Sequence, residues 1–407
     1  MTLPAETRAA PAFTSLYDKG QDALAVDGLK PRLFYAPATA EEAAEALAQA
    51  HEQRLATSVR GGGTRLDLGN VPRALDLVVS TEKLNKVIEY EPADLTITVG
   101  AGLPFAELQR VLGERNQFLP LDPPAEPGST IGGVVATNAS GPFRLRYGSL
   151  RDLVIGTQVA NPTGGLARAG GRVVKNVTGY DLNKLYIGSL GTLGLVTELT
   201  FKVSPKPEAE RTLVARFSSA AAACAAVYRT LRSPLTPSAL ELTTDNRLVA
   251  RLSGFEKPLA RMASDLTTFA REAGATEVEE PADADQIWRE LRAGPTVGPE
   301  GALLKMSVPI TQVPWAMSLA PNAQASAGVG VVRLALDGGD LLAAIRRVRA
   351  EAGEHLGSLV VERAPIGVKR EIDVFGDLPD GFEIMRRLKV QLDPGGILNP
   401  GRFLGRL

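Results

Sequence analysis

The chain has 407 residues, of which 44% are hydrophobic and 22% charged, a composition typical of a globular protein with room for two compact domains. Lys and Arg (45) nearly balance Asp and Glu (46), and this formal charge of -1 excludes a general electrostatic attraction to nucleic acid or to an anionic membrane surface. One cysteine, Cys224, excludes intramolecular disulfides and an iron–sulfur cluster held by this chain alone.

Residues 1–14 contain no apolar segment like that of a secretory signal. The sequence also contains no run of about 20 apolar residues, the length that direct insertion into a membrane requires. Two histidines supply too few ligands for an imidazole- and thiolate-based zinc site, so no metal is expected. Cys224 lies among small residues with a helical pattern, which predicts a buried, inert thiol. The sequence therefore favours a cytoplasmic protein.

Residues 1–30 are rich in Ala and Pro and predict a mobile arm or a peripheral wrap. Residues 31–207 predict a first domain of mixed strands and helices, ending near Pro205 and Pro207. Its first helix follows Thr39, whose capping box with Glu42 fixes the N-terminus, and ends near Gln53. Further strands are expected at 56–60, 74–79, 95–99, 153–160 and 196–203, with a helix at 104–113.

In residues 208–380 the sequence pattern changes to strands that alternate with amphipathic helices. This pattern predicts an α+β cap domain, an antiparallel sheet with helices on one face. A C-terminal segment, residues 381–407, is expected to return to the first domain after a last helix at 382–392. The expected cap strands cover 212–217, 239–242, 247–252, 303–308, 330–336 and 358–361, and the expected cap helices cover 256–272 and 341–352.

Three glycine-rich segments could carry chemistry. The first, Arg60 to Thr64, places three consecutive glycines after a strand, where backbone N–H groups can cradle a pyrophosphate without side-chain interference. The second, 128–141, consists almost entirely of small residues with hydroxyl or amide donors, as a flat aromatic cofactor needs. The third, 188–197, is a glycine turn that leads into a strand. Each segment alone also fits an ordinary turn or close packing.

In order and spacing, these segments resemble the FAD domain of the vanillyl-alcohol-oxidase-type flavoprotein superfamily. The box Asn176-x-Thr178-Gly179-Tyr180-Asp181-Leu182 and the closing segment at 396–402 fit the same pattern. The similarity covers about residues 37–205 and is closest to the FAD-binding subunit of bacterial glycolate oxidase. It implies an α+β fold, with a two-part FAD-binding domain of the vanillyl-alcohol-oxidase type plus an α+β cap domain with an antiparallel sheet.

The resemblance also implies which residues hold FAD. Thr64 stands where some superfamily members carry a flavin-linked histidine, which implies non-covalent binding. The implied cofactor-binding residues are Arg60, Gly61, Gly62, Gly63, Thr64, Gly128, Ser129, Thr130, Gly132, Gly133, Thr137, Asn138, Ser140, Gly141, Tyr147, Gly148, Gly191, Gly194, Leu195 and Val196.

Two departures from the pattern bear on catalysis. Related 2-hydroxy-acid dehydrogenases carry a histidine-rich metal and substrate motif in the cap, whereas residues 323–330 contain no histidine here. Leu190 replaces a glutamate of the last glycine turn. No catalytic residue can be assigned; Arg333 is the best candidate for a substrate-carboxylate clamp, and Arg144, Arg146 and Lys175 are candidates for charges near the flavin ring.

These features favour an FAD-binding subunit that oxidises glycolate to glyoxylate within a complex. Its implied partners are a catalytic flavoprotein subunit, an iron–sulfur subunit and a small 2-hydroxy acid, with any membrane association supplied by a partner. Two alternatives stay open: a stand-alone FAD-dependent 2-hydroxy-acid dehydrogenase, and a flavin-bearing scaffold without its own catalysis.

Overall fold

Two sheets build the first part of the chain in the computed structural model, which describes residues 11–124, 128–171 and 180–407. In the four-stranded sheet, ordered β1-β2-β4-β3, strands β2 and β3 both run parallel to β4, and β1 runs antiparallel to β2. Its elements are β1 (Thr14–Ser15), α1 (Lys19–Ala23), β2 (Leu33–Tyr35), α2 (Ala40–Glu52), β3 (Thr57–Arg60) and β4 (Leu77–Ser80).

The second sheet has five strands, all antiparallel, in the order β5-β6-β10-β8-β9. Two short strands, β7 and β11, form a separate antiparallel pair. The elements are β5 (Val87–Glu91), β6 (Thr96–Gly100), α3 (Phe105–Gly113), β7 (Gln117–Phe118), α4 (Ile131–Ala136), α5 (Arg144–Tyr147), α6 (Leu150–Leu153), β8 (Val154–Ala160), β9 (Leu166–Gly170), α7 (Asn183–Tyr186), β10 (Leu195–Lys202) and β11 (Ser204–Pro205).

Helix α2 joins the two sheets. Its buried alanines and Leu47 pack with Leu77 of β4, Leu195 of β10 and Leu398 of the C-terminal segment in one apolar cluster. Thr39 caps the helix as predicted, accepting a hydrogen bond from the N–H of Glu42. The second half of the predicted capping box is wrong, because the Glu42 carboxylate accepts from the N–H of Ala38 instead.

The cap domain is an eight-stranded, fully antiparallel sheet in the order β15-β12-β14-β13-β17-β18-β16-β19. Its elements are β12 (Ala209–Arg216), α8 (Ala220–Leu231), β13 (Ala239–Thr243), β14 (Arg247–Gly254), α9 (Glu256–Glu272), β15 (Glu277–Glu279), α10 (Ala284–Ala293), β16 (Ala302–Ser307), a 3₁₀ turn (Ile310–Gln312), α11 (Val313–Met317), β17 (Asn322–Ser326), β18 (Val331–Leu336), α12 (Leu341–Glu354), β19 (Ser358–Arg363) and α13 (Ile366–Glu371).

The two faces of the cap sheet differ in polarity because side chains alternate along each strand. One face packs against α8, α9, α11 and α12 in the largest apolar cluster of the described residues. The opposite face carries buried polar residues, among them Glu241, Gln324 and Glu362. The predicted fold class is confirmed, but β17 falls where no strand was predicted, and α10 packs on the second face through Trp288 and Leu291.

The ends of the described chain pack onto the first domain. Residues 11–30 lie along it, with β1 paired to β2 and Val26 buried. The last helix, α14 (Phe382–Leu392), is followed by a segment that forms a β-bridge from Leu398 to Thr57 and ends in a 3₁₀ turn (Leu404–Arg406). Cys224 is buried as predicted, and burial raises the pKa of its thiol to about 11. In the described residues no helix is both long and apolar enough to span a bilayer.

The contact between the two domains contains two buried carboxyl groups, Asp122 and Glu241. Burial raises the pKa of Asp122 to about 8, and the nearby Glu241 contributes to the same shift. The N–H of Phe143 donates to Oδ1 of Asp122 at 2.9 Å, whereas Oδ2 has no partner among the described residues. The neutral, protonated form of Asp122 is therefore favoured in the folded protein.

We expect Asp122→Asn to flatten the pH dependence of stability. Because the folded state holds a proton that the unfolded state releases near pH 4, the Asp122 contribution weakens as pH rises from about 4 to 8, by up to about 1.4 kcal/mol per pH unit. The melting temperature of the variant should therefore exceed that of the wild type most at pH 8 and least at pH 5. The exposed Asp380→Asn is the control, and parallel pH profiles for D122N and wild type would refute the assignment.

Candidate functional site

The first wall of the candidate site is the glycine loop after β3. A Cβ at Gly62 would overlap the carbonyl oxygen of Gly128, and one at Gly61 would overlap the Thr130 hydroxyl. Gly63 has a φ of 72°, a left-handed conformation that favours glycine. The loop therefore packs backbone against backbone, which only glycine allows.

The second wall is the segment that begins α4. The Thr130 hydroxyl accepts a hydrogen bond from the N–H of Gly133 and caps the helix. The N–H of Gly132 donates to the carbonyl of Ala101 at 2.8 Å, and a Cβ at Gly132 would lie within 2.8 Å of the Ala101 side chain. Ser129 and Thr64 join the two walls through a hydroxyl–hydroxyl hydrogen bond of 3.0 Å.

The third wall is the turn at 189–194. Leu190 and Gly191 have φ values of 53° and 68°, so the backbone turns back on itself. The Leu190 N–H donates to the carbonyl of Ala136, and its carbonyl accepts from Nδ2 of Asn399 at 2.8 Å. The C-terminal segment therefore fixes the turn from behind.

These walls enclose an open cavity of about 990 Å³, including the solvent at its mouth, within the size range of cofactor sites. Thirteen of the twenty residues predicted from the sequence line it. They are Arg60, Gly61, Gly62, Gly63, Thr64, Ser129, Thr130, Gly132, Gly133, Thr137, Gly191, Gly194 and Val196.

The other seven predicted residues do not line this cavity: Gly128, Asn138, Ser140, Gly141, Tyr147, Gly148 and Leu195. Leu195 is fully buried in the core beneath the cavity. A Cβ at Gly141 would overlap the carbonyl oxygen of Asp122, and the Tyr147 ring packs edge-on against Phe118 and Phe143. The small size or polarity of a residue alone does not tell which positions of these segments line the cavity.

Several lining residues were not predicted, and two of them come from the distant C-terminal segment. Ser58 and Val59 precede the glycine loop, Thr81 follows β4, and Asn399 and Arg402 come from the C-terminal segment. The predicted return of that segment was the only signal for the last two. Leu190, which stands in place of a glutamate of the family pattern, also lines the cavity.

Of the basic residues proposed near the flavin ring, Arg146 has other contacts. Arg146 donates to the carbonyls of Thr236 and Ser253 in the cap, and Arg144 does not line the cavity. Lys175, like the box residues Asn176, Thr178 and Gly179, lies outside the described residues. Within the described part of the chain, no group of three or more His, Cys, Asp or Glu side chains could hold a metal ion.

The chain matches two protein-family models, the FAD binding domain over residues 31–170 and the C-terminal domain of FAD linked oxidases over residues 206–356 and 376–403. It is 32% identical to glycolate oxidase subunit GlcE of Escherichia coli K12, over 89% of this chain and 97% of that protein.

Two further similarities differ in extent. Glycolate oxidase subunit GlcD of Bacillus subtilis is 37% identical, but over only 52% of this chain and 45% of that protein, so the match spans less than half of that relative. The crystal structure of p-cresol methylhydroxylase with bound substrate shares the fold, with a TM-score of 0.72 at 16% identity over 92% of this chain and 89% of that chain.

We expect Gly62→Ala to weaken binding in the cavity, because the new methyl group would displace the Gly128 backbone that leads into the α4 wall. FAD affinity, measured by quenching of flavin fluorescence, should fall at least about tenfold, the equivalent of about 1.4 kcal/mol. The matched control is Gly353→Ala in α12, where a Cβ meets nothing within 4 Å and FAD affinity should stay unchanged. Unchanged FAD affinity in G62A would contradict this position for the cofactor.

We also expect Lys389→Met to loosen the third wall. Nζ of Lys389 is buried and donates to the carbonyls of Thr192 and Leu398 and to Oδ2 of Asp393. Its removal leaves the buried Asp393 carboxylate without its cation, which costs about 3–5 kcal/mol in comparable cases.

Urea unfolding of K389M should show that loss of stability. Arg386→Met on the same helix is the control, because its ion pair with Glu383 is exposed to solvent and should contribute little to stability. An equal, small effect of both variants would show that Lys389 does not support the turn.

Proposed function

This chain belongs to the family of FAD-linked oxidases, and from that premise we propose that it is the FAD-binding subunit of a 2-hydroxy-acid oxidase complex whose substrate is glycolate. The observation that carries the proposal is the extent of the similarity: GlcE is matched over 97% of its length, whereas GlcD is matched over 45%. The proposed partners are a GlcD-like catalytic flavoprotein subunit and an iron–sulfur subunit. The proposed compartment is the cytoplasm, with any membrane attachment provided by a partner.

The residues of the cavity fit FAD. Three consecutive glycines present backbone at the cavity surface, and N–H groups in such loops bind phosphate oxygens. Arg60 also lines the cavity, and its positive charge suits a negatively charged pyrophosphate. Ser129, Thr130 and Thr137 add hydroxyl groups along the α4 wall.

We further propose that FAD binds without a covalent bond. The described lining residues include no histidine, cysteine or tyrosine, the side chains that could attach a flavin. Thr64 occupies the position of the glycine loop where some superfamily members carry a flavin-linked histidine. Its hydroxyl forms a hydrogen bond with the hydroxyl of Ser129. The two histidines lie elsewhere: His51 in the last turn of α2, and His355 stacked on Trp315 in the cap.

When bound, FAD supplies the electron acceptor for oxidation of the substrate's CH–OH group. The part of this chain is to bind and orient the cofactor and to exclude water with the cap. An iron–sulfur partner is consistent with the single buried Cys224, because the thiolates of a cluster must then come from another chain.

The decisive experiment is an anaerobic visible spectrum of the purified chain, recorded before and after addition of glycolate. We expect a flavin spectrum that persists when the chain is alone and bleaches when the partner subunits are present. Acid precipitation should release all of the flavin into the supernatant, as for a non-covalently bound cofactor.

Other results would select the alternatives. Bleaching by glycolate in the isolated chain would identify a stand-alone dehydrogenase and refute the dependence on partners. A colourless chain that cannot be reconstituted with FAD would leave only a scaffold subunit. Flavin that stays with the acid precipitate would contradict non-covalent binding.

A further inference from the structure

A second cavity lies between the first domain and the cap, directly beside the cofactor cavity. It has a volume of about 940 Å³ including the solvent at its mouth, and Thr64, Arg65, Leu68 and Pro124 line both cavities. The remaining wall comes from the cap, with Arg333 of β18 and Glu362 of β19 on the polar face of the sheet. A ligand here would lie next to a cofactor bound in the first cavity.

Three cations surround one carboxylate at this place. Glu362 accepts from Arg65 at 3.3 Å through Oε1 and faces Nε of Arg333 at 3.4 Å through Oε2. Lys305 is the direct cross-strand neighbour of Arg333 in the sheet. Burial would raise the pKa of Glu362, but Arg333, Arg65 and Lys305 together hold it below its ordinary value. Glu362 is therefore ionised, and this group carries two positive charges more than negative ones.

The cations keep unused hydrogen-bonding capacity. Both ion-pair distances exceed the 2.7–2.9 Å of strong charge-assisted bonds. Arg333 has five N–H donors but only long contacts, to Glu362 and to the carbonyl of Ser140 at 3.4 Å. Lys305 has no hydrogen bond or ion pair with any described residue, although burial lowers the pKa of its amine. Buried cations without full partners are unfavourable, so an anion would stabilise them.

Two other charged residues line the cavity without changing this balance. Arg363 donates to the carbonyls of Val297 and Gly298, and Asp67 adds one carboxylate on the opposite wall. Together they contribute no net charge. The excess of positive charge in the cavity wall therefore stays with Arg65 and Arg333, and Lys305 adds to it from outside the wall.

A metal ion does not fit this site. The resemblance to 2-hydroxy-acid dehydrogenases implies a histidine-bound metal in the cap, but the corresponding strands carry Gln324, Ser326 and Arg333. A guanidinium group has no lone pair to offer a metal, and its charge repels one. Of the described acidic residues, Glu362 alone faces the cation group at ion-pair distance.

We propose that this interdomain cavity is a metal-independent anion site, in which Arg65 and Arg333 bind the carboxylate of a small organic acid directly and Lys305 adds positive charge from the neighbouring strand. Glu362 tethers the cations and competes with the ligand. That the anion is a substrate rests on the proposed function. That an anion binds here rests only on the cation group. Arg333 is here a binding and specificity residue, and the charge excess favours ligands with two negative charges over those with one.

The test is a calorimetric titration of the full chain, loaded with FAD, with oxalate as the probe in low-chloride buffer. We expect oxalate to bind, EDTA to leave the affinity unchanged, and acetate to bind more weakly. Arg333→Gln should weaken oxalate binding at least about tenfold, since it removes the charged hydrogen-bond donors that would contact the anion. Glu362→Gln should strengthen it, because the competing carboxylate is removed.

Arg211→Gln is the matched control, since its exposed ion pair with Glu280 lies in the same cap domain and should leave oxalate binding unchanged. Arg333→Lys retains the charge but not the planar pair of donors, so an intermediate affinity is expected if R333Q does not fold. The absence of oxalate binding, an unchanged affinity in both Arg333 variants, or binding that requires added Zn²⁺ or Mn²⁺ would overturn the proposal.

The two proposals fail separately. A chain that retains the flavin spectrum but binds no oxalate would refute the anion site and leave the FAD subunit intact. A chain that binds oxalate through Arg333 but no FAD would refute the FAD subunit and leave the anion site intact.

Discussion

The buried carboxylate of Asp27 holds together four parts of the chain that are distant in sequence. It accepts two hydrogen bonds from Nζ of Lys369 in α13 and one from Arg402 near the C-terminus. The other guanidinium nitrogen of Arg402 donates to the carbonyls of Leu66 and Leu68, just after the glycine loop. All three charged side chains are at most 8% exposed, and loss of one member of such a buried group costs about 3–5 kcal/mol. Because Arg402 also lines the cofactor cavity, the same interaction shapes the site.

Close backbone contact is the second constraint on the cavity. At Gly62 and Gly132 the chain approaches other backbone more closely than any Cβ allows, so the cavity walls consist of peptide groups rather than mobile side chains. Such walls have few conformations to choose from, which suits the binding of a rigid ring and a pyrophosphate. The turn at Gly191 reaches the same rigidity differently, through Asn399 and Lys389 of the C-terminal region.

The cap domain contributes charged side chains to the region between the domains, whereas the first domain contributes the closely packed backbone of the cofactor cavity. Its apolar face is covered by four helices, and its other face brings Lys305, Arg333 and Glu362 toward the first domain. The cofactor cavity and the anion site share Arg65, so a ligand at one alters the electrostatics of the other. The cap, which lacks a histidine in residues 323–330, thus retains a charged interdomain face, a feature that a scaffold alone does not require.

The sequence by itself determined the fold class, the position of α9 and α14, the glycine loop and thirteen of the residues that line the cavity, because these depend on local patterns of glycine and apolar spacing. It missed β17, whose small residues carry little strand signal, and two residues that it assigned to the site, Leu195 and Tyr147, do not line the cavity. Only the tertiary structure brought Arg402 to the cavity and set Arg65 opposite Arg333 and Glu362. The reason is physical: a charge acquires its role from the burial and the partners that folding supplies, and these lie up to several hundred residues away in the chain.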